Sequence, residues 1–212
     1  MQAMGKACEP RFAPTGMAHA LVAPSHARLT FQVSHSPIED NGLRLETMRR
    51  YSIEKVLVVI RSATIFGRCA RRAGFAGTTT TRYRQLGDIS LVANHQGSRL
   101  GRGFYVNLGV YFSAILDQPL SPLEMEGALK ERSTTPYPHV LWRIENTPGL
   151  RRPFMQEDLD ALLKAGDAVG IEDLLNSALA DTLKFVSTQV TRESVRHLSR
   201  ECRFSAIILK EV

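Results

Sequence analysis

Nine consecutive residues, Phe104 to Phe112, constrain the fold more than any other part of the chain. Phe104, Val106, Leu108, Val110 and Phe112 share one parity, and Tyr105, Asn107, Gly109 and Tyr111 share the other. Side chains of an extended strand alternate between the two faces of a sheet. An apolar parity of this length predicts a strand that buries one face in a core and turns a polar-aromatic face away from it. Such a strand needs partners, because its backbone N–H and C=O groups must be paired.

Partners are at hand in the flanking sequence. Thr78 to Arg84 and Ile89 to Gln96 predict two preceding strands, separated by the turn residues Gly87-Asp88, and residues 97–103 form the next connection. Val140, Trp142 and Ile144 alternate within His139 to Glu145 and predict a fourth strand. Helices are predicted on either side. Apolar residues at 53, 56, 57 and 60 keep helical spacing and lead to a stop at Gly74, although the β-branched run Val56 to Ile60 also suits a strand. Pro122 to Leu129 predicts a short helix, and Pro153 to Ala165 another that ends at Gly166. From Gly170 the stripe Ile171, Leu174, Leu175, Ala178, Leu183 and Val186 predicts a long amphipathic helix. Thr191 caps a further helix to Glu201, and Phe204 to Leu209 predicts a last strand. The expected class is α+β: a small antiparallel sheet, meander plus fourth strand, packed on one face by helices.

The first 47 residues are different. They show no period of 2 or 3.6, so we expect a poorly structured extension ahead of a single domain at 48–212. Leu29, Phe31 and Val33 alternate there and predict an edge strand at residues 28–33 that joins the sheet or lies over its face. Met48 opens the patterned region and is a candidate start site. No apolar run approaches the roughly 20 residues needed to cross a bilayer. The cysteines at 8, 69 and 202 form no C-x-x-C pair, which argues against a thiolate metal site and for a reducing, cytoplasmic setting.

One charge feature asks for an explanation. Leu43 to Arg84 holds ten Lys and Arg against Glu46 and Glu54, whereas Gln156 to Leu183 holds seven acids against one lysine. The basic stretch suits a polyanionic partner. It suits equally well the acidic helix of its own chain.

Several residues resemble a known family. The helix ending in Gly74-Phe75, the Thr/Arg/Tyr strand, Leu91-Val92-Ala93-Asn94-His95-Gln96-Gly97-Ser98, and Phe104 to Tyr111 are similar to a bacterial family of small domains of unknown function, the one numbered 4304. The resemblance covers about Ile53 to Glu145. His95 stands where that family has an aromatic residue. The resemblance implies the fold and no activity.

Candidate chemistry is sparse. Gly101-Arg102-Gly103 joins two strands, where a nucleotide fingerprint joins a strand to a helix. His95 shares the face of Ile89, Leu91 and Ala93, which suits a packed imidazole better than a base. Cys69 has Arg68, Arg71 and Arg72 as neighbours that would lower a thiol pKa, yet a buried, inert cysteine is the plainer role. Glu157, Asp158, Asp160, Glu172 and Asp173 sit at helix starts, where carboxylates complement the helix dipole. We expect no catalytic residues, cofactor or metal.

One constellation remains, a polar-aromatic sheet face of Arg82, Arg84, Asn94, Gln96, Tyr105, Asn107, Tyr111 and Arg143. Tyrosines and arginines interleaved on a sheet suit a protein partner. They also suit the bases and phosphates of a nucleic acid. The expectation is a non-enzymatic protein-interaction domain, with nucleic-acid binding as the alternative and no membrane contact.

Overall fold

A computed structural model describes residues 61–98, 103–130 and 133–212, all within one of two compact units, Tyr51–Val212. The edge strand expected at 28–33 and the pattern at 53–60 lie outside the described residues. Residues 61–72 are helical (α1). Gly74, with φ of 81°, ends this helix as expected, and the Phe75 N–H donates back to the Ala70 carbonyl at 3.0 Å.

Among the described residues, six strands follow in chain order across one antiparallel sheet: β1 Ala76–Gly77, β2 Thr81–Leu86, β3 Ile89–Gly97, β4 Phe104–Phe112, β5 Val140–Arg143 and β6 Ile207–Ile208. Between β4 and β5 lies the short helix α2, Pro122–Gly127, and between β5 and β6 lie α3 Gln156–Ala165, α4 Ala168–Gln189 and α5 Arg192–Arg200. The class is α+β. The central pair β3 and β4 is in register from Ile89 opposite Phe112 to Gly97 opposite Phe104.

Three elements differ from expectation for identifiable reasons. β2 starts at Thr81 because Thr78 to Thr80 make the turn from β1: the Thr81 N–H donates to the Thr78 hydroxyl at 3.1 Å. β5 stops at Arg143, where the chain tightens into a 3-10 turn, Ile144–Asn146. β6 shrinks to two residues. Phe204 is drawn into the core, and the carbonyls of Lys210 and Glu211 accept from Arg196 and Arg192 of α5 at 2.9 and 2.8 Å.

The main core lies between the sheet and α1, α3, α4 and α5. It holds Leu91, Ala93, Val106, Leu108 and Val110 against Phe66, Leu159, Leu174, Leu175 and Val195. Capping matches the sequence: Thr191 accepts from the Ser194 N–H, Ser121 and Glu124 form a capping box, and Gly166 takes a left-handed φ of 70°. The basic and acidic stretches do meet. Arg68 and Arg72 on α1 reach the same Glu172 carboxylate of α4 at 2.5 and 2.9 Å. With α4 opening at Ala168, Glu172 and Asp173 lie beyond its first turn, so Glu172 ties two helices together rather than capping one.

The second face of the sheet is covered over part of its area. Val92, Tyr111, Met125 and Ala128 form a smaller apolar cluster under α2 and the segment that follows it. Among the described residues, no helix is long and apolar enough to cross a membrane.

Candidate interaction face

The register divides the eight expected face residues. Asn94 pairs with Asn107, Gln96 with Tyr105, and Asn107 with Arg143, and Tyr111 shares their parity, so six of the eight share the second face. Arg82 lies opposite Ala93 and Arg84 opposite Leu91, which puts both on the helix side. There they are structural. Arg82 is 5% exposed and donates to the Gly77 carbonyl at 2.9 Å, and Arg84 donates to the Ala73 carbonyl at 2.5 Å beside the end of α1. Burial lowers the Arg82 pKa from its ordinary value, aided by Arg71 and opposed by Glu126.

Two of the remaining six are also absorbed by packing. Tyr111 is fully buried under α2 and its hydroxyl donates to the Pro136 carbonyl at 2.8 Å. Asn94 is buried and donates to the Thr81 hydroxyl at 2.9 Å. What stays open is Gln96, Tyr105, Asn107 and Arg143. The Asn107 amide donates to Gln96 Oε1 at 2.8 Å, and the Arg143 guanidinium stacks over the Tyr105 ring, 4.1 Å from its centroid.

Beside this quartet runs a groove of about 480 Å³ whose walls include Gln96, Asn107, Leu141, Leu129 and Tyr137. Gly109 makes its outer wall possible. A Cβ at this position would meet Pro138 Cγ at 2.8 Å and Leu129 Cδ1 at 3.3 Å, so only a glycine lets the loop settle on β4. Gly109→Ala is therefore expected to cost about 1–3 kcal/mol by overpacking and to loosen that loop. Urea unfolding together with amide exchange at Thr135, Tyr137 and His139 checks it. Unchanged exchange there would show that the loop does not depend on the glycine.

The other candidate groups are placed as packed residues. His95 is 5% exposed, lies between the Phe66 and Phe104 rings, and has Nε2 3.0 Å from the Ser62 hydroxyl. Burial lowers its pKa to about 4. Burial likewise pushes the Cys69 thiol up to about 11, with Glu172 adding to the rise and Arg72 and Arg68 opposing it. Desolvation outweighs the arginines. Among the described residues, no group of three or more His, Cys, Asp or Glu is arranged to hold a metal ion.

The fold and this face define a small α+β domain with a half-covered sheet and a mixed polar-aromatic surface. Residues 66–157 match the family model of a domain of unknown function, DUF4304. That is the family the strand sequence resembles, and the match runs from within α1 to the start of α3. Comparison with curated proteins and with solved structures found no match.

Proposed function

We propose that the domain is a protein-interaction module that docks its partner on the open end of the second sheet face. The supporting observation is the Arg143–Tyr105 stack at 4.1 Å, held beside a groove and flanked by exposed apolar side chains. Tyr137 is 53% exposed, and Ile207, which pairs with Leu141 on the same face, is 57% exposed. A stacked arginine and tyrosine are already ordered, so less side-chain entropy is lost on binding. Apolar groups around such a pair exclude water from it.

Nucleic-acid binding has less support. With Arg82 and Arg84 turned to the helices, the open quartet carries a single cation, and phosphate contacts scale with the number of cations. Affinity capture with the full chain as bait is expected to recover a stoichiometric partner, and Tyr105→Ala with Arg143→Ala to lose it while the unfolding midpoint holds. A partner retained by the double variant overturns this reading. Retention of single-stranded RNA at about 50 mM salt, weakening steeply as salt rises, would favour the nucleic-acid reading instead.

A further inference from the structure

The ridge formed by Pro136 and Tyr137 has a second cavity on its far side, of about 510 Å³. It lies between the segment after β4 and the C-terminal tail, with Ile115, Leu116 and Leu209 among its apolar walls. Its charged lining is one-sided. Among the described residues that line it, Asp117, Glu124 and Glu211 contribute carboxylates and none is a lysine or arginine. Glu124 is engaged in the cap of α2, and Glu211 Oε1 has the exposed Lys210 ammonium 3.9 Å away, a loose pair that a ligand cation can displace, so Asp117 and Glu211 are the acids within reach of a ligand.

A second observation points into this space. His139 lines the cavity and is 6% exposed, its ring stacked on Phe112 and set edge-on to Tyr111. Its Nδ1 accepts the Phe112 N–H at 2.9 Å. A nitrogen that accepts carries no proton in the neutral ring, so the proton sits on Nε2. Among the described residues none accepts from that N–H. Burial favours this neutral form, and although Arg192 stands nearby, the opposing charge of Glu211 acts on the ring more strongly. Arg192 itself donates to the Glu211 backbone carbonyl.

We propose that this cavity binds a small organic cation with an apolar stem and a hydrogen-bond acceptor, such as an alkylammonium amide. The ammonium meets Asp117 and Glu211, the stem lies on Ile115, Leu116 and Leu209, and a carbonyl accepts from His139 Nε2–H. A cavity of this volume is in the range of small-molecule sites. The geometry also shows why a buried histidine, rather than an aliphatic residue, sits at the start of β5.

Calorimetric titration of the full chain with N-acetyl-lysine methylamide tests the assignment. The expected result is a dissociation constant below about 1 mM, with the uncharged norleucine analogue at least about tenfold weaker, a gap of about 1.4 kcal/mol. Asp117→Asn with Glu211→Gln, both at exposed positions, is expected to remove the preference for the cation. His139→Asn keeps an acceptor for the Phe112 N–H but lacks the Nε2 donor, and is expected to weaken binding several-fold. Tyr105→Ala with Arg143→Ala leaves it unchanged, which separates this site from the sheet face. Equal binding of the norleucine analogue, full binding by the Asp117/Glu211 variant, or no heat at millimolar probe overturns the proposal.

Discussion

Trp142→Ala is expected to destabilise the domain by about 3–5 kcal/mol and to lower its thermal midpoint by on the order of 10 °C. Trp142 projects from β5 beside Leu108 into the main core and is 3% exposed. Its ring meets Phe204 at 5.3 Å and Phe185 at 6.5 Å, both edge-to-face, and those two phenylalanines meet each other at 5.2 Å. Edge-to-face aromatic pairs add to the energy of burial alone. The indole N–H donates to the Thr147 hydroxyl at 3.0 Å, so truncation also takes a donor from a buried oxygen. Thr182 is 3.3 Å from the same oxygen and limits that part of the loss. Trp142→Phe keeps most of the volume and is expected to cost about 1–2 kcal/mol. Urea unfolding of both variants measures the effect. A loss below about 1 kcal/mol for the alanine variant would mean that Phe185 and Phe204 collapse into the space.

Acid is expected to weaken the domain between pH 6.5 and 4 through His95. Its pKa falls from the ordinary 6.5 to about 4 in the folded chain because burial disfavours the charged ring. Within that window the unfolded chain takes up a proton that the native state refuses. Stability therefore falls as pH drops from 6.5 and stops changing from this source below about 4. At about 1.4 kcal/mol per unit the total is on the order of 3 kcal/mol. His139 is shifted in the same direction and adds to the same slope. His95→Gln separates the contributions, since its side-chain amide can donate to or accept from the Ser62 hydroxyl in place of Nε2 without titrating. The variant is expected to be weaker than the parent at pH 7.5, having lost the stack on Phe104, but to lose less on acidification to pH 4.5. Parallel stability curves for the two proteins would show that His95 is not the source.

The candidate face was only half legible, and the reason lies in the parity of one strand. Gly87-Asp88 is a two-residue turn, so Leu86 pairs with Ile89, and counting back puts Arg84 with Leu91 and Arg82 with Ala93. That count was available from the turn, and it assigns both arginines to the helix side. Shifting a strand by one residue exchanges its faces. The covering of Tyr111 also had a local trace: Leu91, Val92 and Ala93 are apolar on both parities, as in a strand buried on both sides. The quartet Gln96, Tyr105, Asn107 and Arg143 follows from alternation in β3, β4 and β5 and was legible throughout.

Local sequence determined most elements of this protein, because strand parity, helical stripes, caps and turns depend on residues a few positions apart, whereas the short β6 was set by contacts of the tail with α5 and the core. The tertiary structure decided which of those side chains are free to act. Asp117, His139 and Glu211 share one cavity because the segment after β4 and the C-terminal tail both fold against the start of β5. Contacts between positions so far apart in the chain depend on register and packing, and no periodicity within one segment encodes them.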